Sequence, residues 1–160
     1  MQIRTGILTV SDRASRGEYP DAGGPALASA VAGLGWETAA TALVPDDIAA
    51  IQAAVRRLME SGCNLVLATG GTGVAPRDVT PEALLGLGGR ELPGFGEVMR
   101  RESIKITPHA LLSRCLAVAV GRALVICLPG KPSGAVECLG FVSAAIPHGV
   151  EQLNHAGNHT

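Results

Sequence analysis

LVLATGGTGVAPRDVTPEA, Leu65 to Ala83, decides how this chain folds. Its opening, Leu65–Thr69, is too continuously apolar to present one dry and one wet face, as expected of a strand covered on both sides. Three glycines follow within four positions, Gly70, Gly71 and Gly73. Beyond them Thr80 is suited to cap a helix, and Pro81 to sit in its first turn, where no backbone donor is needed. Strand, glycine loop and helix together make one unit of an α/β sheet.

The same form recurs on either side. Toward the N-terminus, Ile3–Val10 reads as a buried strand that runs into a long polar loop, SDRASRGEYPDAGG, and an Ala-rich helix from about Pro25 to Leu34. Trp36–Leu43 is a weaker strand. From Asp46 onward Ile48, Ile51, Val55, Leu58 and Met59 recur at helical spacing. Past the central segment, Gly94–Ile106 is predicted helical and Pro108 restarts a short helix. LAVAVGRALVICL (116–128) reads as two antiparallel strands turning near Gly121 and Arg122. Pro129 to Pro132 breaks the chain, and Ser133 is placed to cap a helix reaching Ile146. These alternations predict a single α/β domain over residues 1–153, its sheet mostly parallel with an antiparallel element, followed by a polar tail at 154–160.

Composition removes several classes of function. With 47% hydrophobic and 17% charged residues, the chain is built to bury a core. A formal net charge of −1 gives no general attraction to nucleic acid or an anionic membrane. Tyr19, Trp36, Phe95 and Phe141 are all the aromatics, which leaves little for stacking bases. No window approaches the ~18 apolar residues of a membrane span, and the N-terminal MQIRTGILTVSDR lacks the pattern of a signal peptide. A cytoplasmic protein without nucleic-acid or membrane partners is expected. Cys63, Cys115, Cys127 and Cys138 form no CxxC pair and sit mostly in apolar stretches, so buried free thiols are expected.

Loops that follow parallel strands lie on one edge of an open sheet, where ligands bind. The loops beginning at Ser11, Gly70 and Pro129 are therefore expected to line one crevice. Glycines let a ligand approach the backbone, and exposed amides there form an anion-binding nest. TGGTG is neither a Walker loop nor a dinucleotide fingerprint, and taken alone it fits an anion site or a tight turn. Arg77 could pair with phosphate. Asp78 would repel phosphate unless a cation such as Mg²⁺ stood between them. An Arg-Asp surface pair accounts for the same two residues. Asp46 is equally a helix cap, and Ser11, Asp12, Lys131 and Ser133 have similarly plain roles open to them.

The motifs in combination say more. TGGTGVAPRDVTPEA, ELPGFGEVMRRESIKITPHALLSR and LPGKPSGAVECL, in that order, closely resemble the molybdenum-cofactor biosynthesis family of the MogA and plant G-domain type. The resemblance runs from about Ile3 to Leu153. It implies a three-layer α/β/α fold, commonly a homotrimer, and a molybdopterin adenylyltransferase: ATP and molybdopterin give adenylylated molybdopterin and pyrophosphate, with Mg²⁺. A separate molybdenum-insertion enzyme would use the product. By the same resemblance Asp46 and Asp78 are the catalytic, metal-holding carboxylates. Gly70, Gly71, Thr72, Gly73 and Arg77 form the nucleotide loop, with Ser11 and Asp12 from the first strand loop and Pro129, Gly130, Lys131 and Ser133 from the last. The related MoaB type usually reads PGSP where this chain has PGKP. A non-catalytic molybdopterin-binding scaffold of that type is the competing reading, and a general nucleotide hydrolase lacks its Walker lysine.

Overall fold

A computed structural model describes residues 1–155. One six-stranded sheet runs in the order β2-β1-β3-β6-β5-β4. Its strands are β1 (Arg4–Val10), β2 (Glu37–Val44), β3 (Leu65–Thr69), β4 (Arg90–Glu91), β5 (Ala117–Val120) and β6 (Ala123–Leu128). β2, β1, β3 and β6 are parallel, while β5 runs antiparallel to β6 and to β4. The helices are α1 (Asp12–Ser15), α2 (Gly23–Gly33), α3 (Ile48–Glu60), α4 (Thr80–Leu85), α5 (Pro93–Ser103), α6 (Pro132–Val142) and α7 (Ile146–Asn154). Single 3₁₀ turns lie at Pro108–Leu112 and Ser143–Ala145.

Alternation along β3 explains why its sequence does not alternate in polarity. Leu65 and Leu67 join a core with Leu27 and Val31 of α2, Met99 of α5, Leu139 of α6 and Val150 of α7. Val66 and Ala68 point the other way, into a core with Ile51, Val55 and Leu58 of α3 and Leu84 of α4. Each fully buried leucine or isoleucine here contributes about 1.5–3 kcal/mol. Helices on both faces of the sheet make the three layers. β1 is followed by α2 on one face and β3 by α4 on the other. The loops after these two neighbouring strands therefore diverge, as at the switch point where open α/β sheets bind ligands.

Several local details differ from expectation. The first polar loop contains a short helix, α1, because the Ser11 hydroxyl accepts a hydrogen bond from Ala14 N at 3.1 Å. Asp47, not Asp46, caps α3, its carboxylate accepting from Ala50 N at 2.8 Å. Thr80 is the first residue of α4 rather than its cap. Ser133 lies inside α6, whose cap position is Lys131, and makes no capping bond. The helix predicted to reach Ile146 ends at Val142, and α7 restarts with Pro147 in its first turn, where its missing N–H costs nothing. β4 has only two residues, too few to leave a periodic signal. Asn154 still belongs to α7, and the tail residues 156–160 lie outside the described residues.

Candidate active site

The three glycines of the central loop are required by three different neighbours. At Gly70 (φ +102°) a Cβ would overlap the carbonyl oxygen of Val10 at the end of β1. At Gly71 (φ +66°) it would overlap the Thr80 hydroxyl and lie 2.9 Å from Asp46 Oδ1. At Gly73 it would lie 3.0 Å from Asp78 Oδ2. Both candidate carboxylates thus stand over this one loop, with the glycines making room for them. The loop after β6 closes against it from the side: Thr69 Oγ1 donates to Pro129 O at 2.7 Å, and a Cβ on Gly130 would lie 3.3 Å from Gly70 Cα.

Because Asp47 caps α3, the Asp46 carboxylate is free to face the glycine loop at Gly71. Its Oδ2 accepts from Asp12 N at 3.0 Å, while Asp46 N donates to Asp12 Oδ1 at 3.0 Å, so the loops after β1 and β2 hold each other reciprocally. Arg77 reaches back from the glycine loop and forks onto Asp12, Nε and Nη2 each at 2.9 Å. That bidentate pair holds the Asp12 carboxyl below its usual range. Asp46 moves the other way. Burial raises its pKa, and the negative charges of Asp12 and Asp78 raise it further. Asp78 Oδ2 accepts from Ala75 N at 3.0 Å, which fixes its carboxylate against its own turn.

The site offers a ligand unpaired donors and free carboxylate oxygens. Among the described residues the amides of Gly71, Thr72, Gly73 and Val74 have no acceptor, four donors in a row. α6 starts at the same edge with no side-chain cap, which leaves its first-turn amides open as well. Lys131, at the cap position of α6, is exposed and makes no ion pair among the described residues. Asp46 Oδ1 and Asp78 Oδ1 likewise take no protein hydrogen bond. Two carboxylates with a free oxygen each, beside open amides, fit Mg²⁺, which usually takes one or two carboxylates together with phosphate and water oxygens. Among the described residues no group of three His, Cys, Asp or Glu gathers, so an all-protein metal cage is not what they form.

The predicted site residues separate into groups. Asp12, Asp46, Gly70, Gly71, Thr72, Gly73, Arg77 and Asp78 form the connected constellation above, with Pro129 and Gly130 packed beside it. The Ser11 hydroxyl is engaged in capping α1. The Ser133 side chain is exposed and makes no hydrogen bond among the described residues.

Three structural residues of the site make contacts that sequence reasoning missed, and only Thr80 carried a local signal, that of a helix start. Asp21 accepts from Thr9 Oγ1 at 3.0 Å and from Gly24 N at 3.0 Å, closing the start of α2. Thr80 donates its hydroxyl to Gly70 O at 2.8 Å. Arg114, 41 residues beyond Gly73, donates to that residue's carbonyl at 2.7 Å and pairs with Glu82. The four cysteines are free and buried, as expected. No helix among the described residues is long and apolar enough to cross a membrane.

Comparison with known proteins agrees with this fold. A family model described as a probable molybdopterin binding domain matches residues 6–148. A molybdopterin adenylyltransferase of Escherichia coli K12 is 44% identical over 161 aligned positions, covering 92% of this chain and 80% of that protein. A molybdopterin adenylyltransferase of Helicobacter pylori J99 is 42% identical, over 94% of this chain and 88% of its own length. A solved structure, the molybdopterin biosynthesis enzyme MoaB of Thermus thermophilus, superposes with a TM-score of 0.89 at 44% identity, covering 95% of this chain and 96% of the other. With the matched model spanning most of the chain, and the site loops falling inside it, this protein belongs to the molybdopterin-binding domain family of molybdenum-cofactor biosynthesis.

Proposed function

We propose that this chain transfers AMP from ATP to the terminal phosphate of molybdopterin, in a reaction that depends on Mg²⁺ and releases pyrophosphate. The observation that carries this reading is the row of open amides at Gly71–Val74, flanked by Asp46 and Asp78 with a free oxygen each. The relatives named for this activity are 42–44% identical over most of the chain, which supports an adenylyltransferase of molybdenum-cofactor biosynthesis.

In the reaction an oxygen of the molybdopterin phosphate bonds to the α-phosphorus of ATP, and the bond from that phosphorus to the bridging oxygen of pyrophosphate breaks. The attacking phosphate is already ionised at neutral pH, so no side-chain base is needed. The chain's task is to hold two polyanions in line. Amides of Gly71 to Val74 and of the α6 start donate to phosphate oxygens, and Lys131 adds charge at the same edge. Arg77 is already forked onto Asp12, so it reaches a phosphate only by leaving that carboxylate. Asp46 and Asp78 would hold Mg²⁺, which when bound offsets phosphate charge and polarises the reacting phosphoryl group. Positioning of this kind lowers a barrier by several kcal/mol, and fixed donors around developing charge contribute comparably.

A homotrimer is the assembly we propose, with the adenylylated product consumed by a separate molybdenum-insertion enzyme. The competing reading is a non-catalytic molybdopterin-binding scaffold of the MoaB type, a type with a solved structure 44% identical to this chain. Pyrophosphate release from ATP distinguishes them. For the enzyme, release requires both molybdopterin and Mg²⁺, and Asp78→Asn keeps pterin binding while losing most transfer. Pterin binding with no release under any condition establishes the scaffold instead.

A further inference from the structure

In a planar trans peptide the N–H points away from the C=O of the preceding residue. Among the described residues no peptide is cis. Four consecutive carbonyls of the glycine loop are pinned from the protein side. Thr80 Oγ1 donates to Gly70 O at 2.8 Å, and Thr80 N to Gly71 O at 3.1 Å. Arg114 N donates to Thr72 O at 2.9 Å, and its Nε to Gly73 O at 2.7 Å. The amides sharing those four peptide planes belong to Gly71, Thr72, Gly73 and Val74, which are the open donors of the site. Each pinned carbonyl turns its amide away from the group that pins it.

Arg114 does more than Thr80. Its Nη2 donates to Asp78 O at 2.9 Å, so one guanidinium ties both ends of the segment from Gly73 to Asp78. Its Nη1 pairs with Glu82, which neutralises its charge on the protein side of the loop and holds the Glu82 carboxyl below its usual range. Glycine resists a peptide flip less than any other residue, so a loop this rich in it needs such ties.

We infer that Arg114 is a positioning residue for phosphate: it touches no ligand, but it sets the direction of the Gly73 and Val74 amides and the seat of Asp78. The inference rests on the reading of this loop as a phosphate cradle.

The test uses the full chain, with α,β-methylene-ATP and Mg²⁺ as the calorimetric probe and amide resonances of Gly71 to Val74 as the second readout. Arg114→Ala weakens binding roughly tenfold or more, as expected when ties worth a few hydrogen bonds are lost. It also abolishes the probe-induced shifts at Gly73 and Val74, and millimolar guanidinium restores part of both. Glu82→Gln keeps every bond to the loop carbonyls and stays within about threefold of wild type, since an exposed pair contributes little. If Arg114→Ala does not fold, Arg114→Lys, with one ammonium in place of the fork, is expected to bind more weakly than Glu82→Gln. Wild-type affinity in the Arg114 variants, or an equal loss in Glu82→Gln, overturns the inference and leaves the proposed function standing. Failure of wild type itself to bind the probe sinks the cradle reading and the inference together.

Discussion

Gly71→Ala tests the loop most directly, because two independent costs can be assigned to it. The residue has φ +66°, and placing alanine in the left-handed region costs about 1–2 kcal/mol. The new methyl also displaces the Thr80 hydroxyl, leaving the buried Gly70 carbonyl without its 2.8 Å donor, a further ~1–3 kcal/mol. The sum is about 2–5 kcal/mol, or roughly 4–20 °C in melting temperature for a chain of this size. In a Thr80→Ala background the second cost has already been incurred, so Gly71→Ala should then cost less by about that ~1–3 kcal/mol. Urea unfolding of the four proteins in this cycle measures the difference. Equal costs in the two backgrounds, within about 0.5 kcal/mol, refute the contact as the reason for glycine. Turnover should not recover in the double variant, because the added Cβ still lies 2.9 Å from Asp46 Oδ1.

Two further outcomes are expected. Burial and the charges of Asp12 and Asp78 raise the pKa of Asp46, so at neutral pH its ionised form opposes folding, and that penalty fades as pH falls through the raised value. Asp46→Asn keeps an acceptor for Asp12 N, and should raise the urea midpoint at pH 7, match wild type near pH 3, and lose roughly 10²-fold or more in turnover; a lower midpoint at pH 7 contradicts the electrostatic reading. The Cys115 thiol is held down to about 7 by hydrogen bonds from Cys127 first, against the effect of burial, yet it is only 1% exposed. Iodoacetamide at pH 8 should therefore label it in native protein at least ~100-fold more slowly than in urea, and rapid native labelling, followed by peptide mass, contradicts the packing.

Where one element dictates its own residues, the sequence was readable. Leu65 to Ala68 of β3 are apolar because the strand meets helices on both faces, and the β5–β6 turn at Gly121 is a short-range event. The glycine loop was visible as a place of close approach, though the neighbours that approach it, Val10, Thr80, Asp46 and Asp78, are protein groups. Spacing does not decide whether Asp46 or its neighbour caps α3, since the two are adjacent and either could begin the helix. Spacing leaves Arg77 open to a phosphate or to an Asp carboxylate, and the carboxylate it forks onto, Asp12, lies 65 residues away. Arg114 was invisible for the same reason: its partners Gly73, Asp78 and Glu82 meet it only once β5 lies in the sheet beside β6. Contacts made across the sheet edge leave no period in the sequence, even where the residues that make them lie in a motif.

The contact between Gly70 and Gly130 bears on how this site can change over generations or at the bench. A side chain at Gly130 would press on Gly70 Cα, and one at Gly70 would strike Val10, so three separate loops constrain one another through two small residues. Grafting the β3 loop from a relative into this chain should therefore fail unless the partner loops travel with it. Variation at this edge should be inherited as a block, with single-loop chimeras poorly expressed and three-loop chimeras tolerated.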